Sequence, residues 1–147
     1  QVVAEGAANS RSQGYAKEAA EMLPTYTQWN SIISSKKHYR PDKSVEVNRY
    51  ANMLRSGVPE LQHLAAKRIS FEKRFDEWLL MLLDEQVRAD VARESDDKEF
   101  VDAMAWMTKM LAASGQLEYR PTVELVAEKA SSSKLRSYAY KYLSSYY

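Results

Sequence analysis

The chain has 147 residues, which is the size of one ordinary domain. Its residues are 45% hydrophobic and 28% charged, with a net charge of +1, and this composition excludes a disordered or collagen-like chain. The chain contains no cysteine, which excludes disulfides, thiolate metal sites and cysteine nucleophiles.

The first predicted helix runs from Arg11 to Ser35, where apolar residues recur at helical spacing. Pro24 lies inside it, so we expect a kink or two short helices. The basic loop KKHYRPDK, residues 36–43, follows. Gly57 suits the left-handed end of a second helix, predicted from Ser44 to Ser56. The residues of this second helix that we expect to be buried are Val47, Tyr50, Ala51 and Leu54.

A long third helix is predicted from Pro59 to about Arg93, because proline is favoured at the first helical position. It contains the longest apolar run of the chain, WLLMLL, residues 78–83. A membrane-spanning helix needs about 20 such residues, so we expect a soluble chain without a membrane span. The residues of this helix predicted to be buried are Leu61, Leu64, Phe71, Phe75, Trp78, Leu79 and Leu82.

Two further helices are marked by their ends. Asp96 and Glu99 have the spacing of a capping box and introduce a fourth helix, which ends near Gly115. Pro121 begins a shorter fifth helix. The predicted buried stripe of the fourth helix is Phe100, Met104, Met107 and Leu111, and that of the fifth is Val123, Val126, Ala127 and Ala130.

The C-terminal segment KLRSYAYKYLSSYY is ambiguous, because tyrosine favours strands and YAYKY alternates. Six positions at helical spacing outweigh three at strand spacing, so we predict a helix. One face of that helix, expected to be core or subunit interface, carries Leu135, Tyr138, Ala139, Tyr142, Leu143 and Tyr146.

Together these elements predict an all-α protein: a five- or six-helix bundle with an N-terminal helical arm and a C-terminal tyrosine-rich helix. Within this single domain, residues 1–43 are predicted to form the arm and basic loop, and residues 44–147 the bundle.

Signatures of enzymes and cofactor sites are missing. Four scattered glycines cannot form a phosphate-cradling loop. Glu60 and His63 make one Glu-x-x-His pair, whereas a di-iron bundle needs two such pairs. Many acidic residues have a basic partner one turn away, as Asp84 has Arg88 and Asp76 has Lys73. We therefore expect no enzyme activity, no cofactor and no bound metal.

The charge is spread unevenly along the chain. Residues 1–43 have a net charge of +2, residues 44–118 of −4 and residues 119–147 of +3. Opposite patches can bring copies of one protein together. Alternatively, the basic ends hold a polyanion, since KKHYRPDK and KLRSYAYKY combine lysine and arginine with aromatic rings. Two solvated basic segments are the plain alternative.

The stretch SRSQGYAKEAAEMLPTYTQW, from Ser10 to Trp29, resembles the N-terminal region of coat proteins from rod-shaped and filamentous archaeal DNA viruses. In that family a basic, aromatic helical arm lies along the DNA and a helical bundle packs against neighbouring subunits. The resemblance implies that Arg11 and Lys17 contact phosphates and that Tyr15 is the aromatic residue of the arm.

The leading hypothesis is a non-enzymatic structural protein that assembles with copies of itself or a homologous subunit and coats nucleic acid, with DNA favoured, in a virion. The alternative is a small helical adaptor or accessory subunit of a protein complex without nucleic acid. The predicted nucleic-acid-binding residues are Arg11, Lys17, Lys36, Lys37, Arg40, Lys134, Arg136 and Lys141. The predicted interface residues are Tyr138, Tyr142, Leu143 and Tyr146.

Overall fold

The computed structural model describes the backbone of residues 13–95 and 97–147, and the side chains of residues 23–95 and 97–147. Within these ranges the chain is all-helical and has no strand, as predicted. A short 3-10 helix, Leu117–Tyr119, lies between the fifth and sixth α-helices. The α-helices are α1 Gln13–Ile33, α2 Val45–Arg55, α3 Pro59–Glu72, α4 Glu77–Asp90, α5 Lys98–Ala113, α6 Arg120–Lys129 and α7 Ser133–Tyr146.

Two compact units divide within the predicted basic loop, between Lys37 and His38. The first unit holds α1, which continues through Pro24. The prediction of two short helices is therefore wrong, because losing one backbone donor does not end this 21-residue helix. The predicted DNA contact Arg11 lies outside the described residues.

The core of the second unit is centred on α5, which packs against α3, α4, α6 and α7. A helix surrounded in this way must be apolar on most of its circumference. The hydroxyl of Thr108, the one buried polar residue on α5, donates to the carbonyl of Met104 at 2.7 Å, so that it is satisfied within the helix. The predicted stripe of α5 is confirmed as buried: Phe100, Met104, Met107 and Leu111.

The prediction of a single helix from Pro59 to about Arg93 is wrong, because the chain breaks between Glu72 and Glu77. Lys73 adopts a left-handed conformation (φ 53°), and the amide of Arg74 bonds back to the carbonyl of Ile69. Asp76 then accepts bonds from the first amides of α4. This break makes seven α-helices in the described chain where five or six were predicted.

Burial on α3 and α4 follows the prediction in part. Leu61, Trp78, Leu79 and Leu82 are buried, and Phe75 is half-buried. Two other residues were predicted to be buried and are not, since Leu64 is 38% and Phe71 71% exposed. They lie seven residues apart and therefore share one face of α3, whereas the buried residues Leu61, Ala65 and Ile69 lie on another.

Helix ends elsewhere are set largely as the sequence predicts. Gly57 and Gly115 adopt the left-handed conformation (φ 71° and 72°) that glycine tolerates, beyond α2 and α5. The cap of α5 is Asp97, whose carboxylate accepts from the amide of Glu99; the predicted capping residue Asp96 lies outside the described residues. Pro121 lies in the first turn of α6, as predicted. In the described part of the chain, no helix is both long enough and apolar enough to cross a membrane.

Candidate nucleic-acid interface

Residues 38–43 of the basic loop belong to the second unit and are held by side chains of that unit. The guanidinium of Arg40 pairs with Asp42 at 2.8 Å and lies 4.8 Å from the ring centroid of Trp78. Lys43 reaches the carboxylate of Asp76 at 3.0 Å, so the predicted pairing of Asp76 with Lys73 is replaced by a longer-range contact. Two of the loop's cations are therefore already neutralised within the fold.

Asn48, buried on α2, fixes the path of this loop. Its side-chain oxygen accepts from the amide of Arg40 at 2.7 Å, and its side-chain nitrogen donates to the carbonyls of Arg40 and Ser44, each at 2.9 Å. A buried amide with this many backbone partners holds the loop in one conformation. Lys36 and Lys37 are exposed and belong to the first unit, on the other side of the division from Arg40.

Arg136, on the first turn of α7, has a structural partner as well. Its guanidinium donates to the carbonyls of Ala130 and Ser131, at 2.6 Å and 3.0 Å. These carbonyls follow the end of α6, where basic side chains often satisfy unpaired acceptors. Arg136 therefore joins α6 to α7, and its guanidinium is largely occupied by these two hydrogen bonds.

Two adjoining pockets form a groove between α5 and α7. Their volumes are about 220 and about 170 Å³, and they share Lys109, Tyr138 and Tyr142. We call this surface the α5–α7 groove. Its remaining lining residues are Asp102, Ala105, Trp106, Lys141, Ser145 and Tyr146.

Aromatic rings form much of the groove's wall. The rings of Tyr138 and Tyr142 are nearly parallel, at 7°, with centroids 6.3 Å apart. The ammonium of Lys109 lies 4.9 Å from the ring centroid of Trp106, which also stacks on His63 at 5.9 Å. Cations and ring faces are thus interleaved along the groove.

The tyrosine-rich face of α7 is partly buried. Leu135 and Ala139 are buried against α5 and α6, as predicted, and the helical interpretation of the tail is confirmed. Burial, and then the neighbouring tyrosines Tyr138 and Tyr146, raise the pKa of Tyr142 to about 12. Tyr138, Tyr142 and Leu143 are half-buried, whereas Tyr146 is 39% exposed. This face therefore covers the core with its inner part and lines the groove with its outer part.

The charge of the groove is positive with one exception. The helix α7 carries Lys134, Arg136 and Lys141 and no acidic residue. The Asp102 carboxylate lies at the edge of the groove, 4.0 Å from the ammonium of Lys134, which also lies 5.8 Å from the Tyr138 ring centroid. One lysine is thus partly compensated, while Lys109 and Lys141 have no ion pair in the described residues.

Of the predicted nucleic-acid-binding residues, the structure places Lys134 and Lys141 two turns apart on one face of α7, about 10 Å along the axis. Lys17 lies on α1, but its side chain is not among those described. Sequence reasoning missed Lys109. The signal was present, because a lysine three residues after a tryptophan shares its helix face.

In the described residues, no group of three histidine, aspartate or glutamate side chains is placed to hold a metal ion. The predicted pair of Asp84 with Arg88 is present at 3.3 Å, and Asp84 also accepts a hydrogen bond from Thr122. No protein-family model, curated protein or solved structure matches the chain. The resemblance of Ser10–Trp29 to viral coat proteins stays a prediction.

Proposed function

We propose that this protein is a non-enzymatic structural protein that binds nucleic acid, with DNA favoured, along the α5–α7 groove. The observation that carries the proposal is the lining of the groove, in which Lys109 and Lys141 alternate with the rings of Tyr138 and Tyr142. Lysine neutralises phosphates, and aromatic faces stack on bases or sugars of any sequence. In its sharpest form the protein is a viral coat or nucleoprotein subunit within a virion.

Assembly with copies of itself, or with a homologous subunit, is the second part of the proposal. The helix α4 carries four acidic residues and one arginine, a net charge of −3, whereas α7 has a net charge of +3. Surfaces of opposite sign on one chain favour ordered association of its copies. Bound nucleic acid would bring those copies to high local concentration.

The alternative is a helical adaptor of a protein complex. It is supported by Leu64 and Phe71, exposed apolar side chains on one face of α3, which a protein partner could cover without any nucleic acid. Salt separates the two functions, because phosphate neutralisation weakens steeply with ionic strength and apolar contact does not.

The test is fluorescence anisotropy of the full chain with labelled single-stranded DNA, duplex DNA and RNA, between about 50 and 200 mM salt. Replacing Lys109→Gln and Lys141→Gln together should lower the magnitude of the slope of log affinity against log salt by about 1.4 to 1.8. The control Arg49→Gln with Lys129→Gln removes the same charge from exposed positions of α2 and α6. Its slope should match wild type.

Two results would contradict the proposal. One is the absence of binding to all three probes by wild-type protein at the lowest salt. The other is equal loss of binding in the groove variant and in the control, since that would reduce the effect to net charge.

A further inference from the structure

A second pocket lies where the α4–α5 loop meets the start of α7. Its volume is about 500 Å³, within the range of small-molecule sites. Four serines and two lysines line it together with a single apolar residue. The lining residues of this serine–lysine pocket are Ser95, Lys98, Val101, Ser131, Ser132, Ser133 and Lys134.

The serines of the pocket keep hydrogens to donate. The hydroxyl oxygen of Ser95 accepts from the amide of Asp97 at 3.2 Å, and that of Ser132 accepts from the amide of Leu135 at 3.2 Å. A hydroxyl that accepts a backbone N–H still has its own hydrogen available. Ser131 donates only at 3.5 Å, to the carbonyl of Ala92, which is a weak contact that a better acceptor can replace.

The two lysines add positive charge, and in the described residues no carboxylate lines the pocket. Two acidic residues close in sequence to Lys98 already have partners. Asp102 lies 4.0 Å from the Lys134 ammonium, and Asp97 caps α5 through the amide of Glu99. A ligand that is surrounded by hydroxyl and ammonium donors must offer hydrogen-bond acceptors on several sides. Dianionic phosphate is the common biological group of that kind.

We propose that the serine–lysine pocket binds a phosphate group. One part of this inference rests on the proposed function: the phosphate belongs to the backbone of the nucleic acid that lies in the α5–α7 groove. Lys134 links the two surfaces, because it lines the pocket and its ammonium lies 5.8 Å from the Tyr138 ring centroid. A free phosphate or a phosphomonoester presents the same chemistry to the pocket.

The test titrates the full chain with inorganic phosphate at constant ionic strength, followed by backbone amide NMR. We expect saturable shifts in residues 95–98 and 131–134, and none of these shifts with chloride. Lys98→Gln should weaken phosphate binding about threefold to fivefold, the effect of one exposed charge pair. Lys129→Gln, an exposed lysine of α6 outside the pocket, should bind as wild type.

Equal shifts with chloride, or wild-type affinity in Lys98→Gln, would overturn the inference, whether or not DNA binds. Phosphate binding that depends on Lys98 would uphold it even if no oligonucleotide binds, in which case the proposed function fails alone. A parallel titration of Lys98→Gln with single-stranded DNA separates the sources of phosphate. Weakened DNA binding in this variant supports a backbone phosphate as the ligand. Unchanged DNA binding overturns the assignment to the nucleic-acid backbone, and the ligand is then a free phosphate or a phosphomonoester.

Discussion

The basic loop, residues 36–43, and the first two turns of α7, residues 134–141, have similar compositions and different structures. Each combines lysine, arginine and tyrosine. In the loop, Arg40 is held by Asp42 and Trp78 and its backbone by Asn48. On α7, Arg136 is held by carbonyls beyond α6, but Lys141 has no ion pair or hydrogen bond in the described chain and borders a groove lined with rings.

The difference shows that composition locates cations near rings but does not say which cations are available. An arginine has five donors in a rigid fork and finds carbonyls and carboxylates within its own fold. A lysine on an exposed helical face keeps its charge for a partner. The lysines of the α5–α7 groove are therefore the better candidates for phosphate contacts.

The largest expected effect on stability comes from removing the Asn48 side chain, which holds the basic loop in place. Asn48→Ala leaves the part-buried Arg40 amide without its acceptor and removes one of two donors from the Arg40 and Ser44 carbonyls, which keep the backbone amides of Lys43 and Asn48. An unpaired amide costs about 1 to 3 kcal/mol when water cannot reach it, and with the two other lost hydrogen bonds we expect a loss of about 3 kcal/mol in the free energy of unfolding. Urea denaturation measures it. Arg49→Ala, exposed on the same helix, should change stability by less than about 0.5 kcal/mol.

A smaller loss is expected on α7. Arg136→Ala leaves the carbonyls of Ala130 and Ser131 without their donor, and should cost about 1 to 2 kcal/mol in the same measurement. Arg136→Lys should recover part of this loss, because one ammonium can reach one carbonyl. Lys141→Ala is the matched control and should leave stability unchanged within about 0.5 kcal/mol. Equal losses in both variants would contradict the division between structural and available cations.

Much of this fold could be predicted from the sequence, because the residues that begin and end its helices act locally. Gly57, Gly115 and Pro121 mark helix boundaries through backbone restrictions that act within a turn. The missed break at Lys73 has no such signal, since lysine rarely adopts a left-handed conformation. Asp76, a capping residue two positions before the apolar run that starts at Trp78, was the local clue to a new helix.

The candidate site could be predicted only in part. Lys134 and Lys141 follow from the charge of the tail, but the placement of Lys141 beside Lys109 depends on how α7 packs on α5. The periodicity of apolar residues indicates which face of each helix is buried, but not which face of another helix it packs against. The same limit explains Leu64 and Phe71, which satisfy the helical pattern and yet lie at the surface.

The salt dependence of DNA binding distinguishes the cations of α7 from those of the basic loop. Lys141→Gln should reduce the magnitude of the slope of log affinity against log salt by about 0.7 for single-stranded DNA, because one phosphate contact is lost. Arg40→Gln should leave the slope unchanged, because that guanidinium already pairs with Asp42. Anisotropy over a salt series checks both variants. A larger change in slope for Arg40→Gln than for Lys141→Gln would assign the interface to the loop instead.

The smallest expected effect at neutral pH is that of Tyr142→Phe, in a comparison of two tyrosines, Tyr50 on α2 and Tyr142 on α7. Burial and the Glu72 carboxylate raise the pKa of Tyr50 to about 12, and burial raises that of Tyr142 to about 12. The hydroxyl of Tyr50 donates to Glu72 at 2.7 Å, whereas that of Tyr142 has no hydrogen-bond partner in the described chain. Tyr50→Phe should therefore cost about 1 to 2 kcal/mol at neutral pH, and Tyr142→Phe close to nothing.

The two variants should nevertheless share one response to pH. A tyrosine in the unfolded chain ionises near pH 10, so the stability that each buried neutral phenol contributes is complete below about pH 10 and is lost as pH rises towards about 12. Each phenylalanine variant removes one such phenol. Between about pH 9 and 11 each should lose less stability in urea denaturation than wild type does. If Tyr142→Phe follows the wild-type curve over that range, Tyr142 is hydrated in solution and the groove is more open than the structure shows.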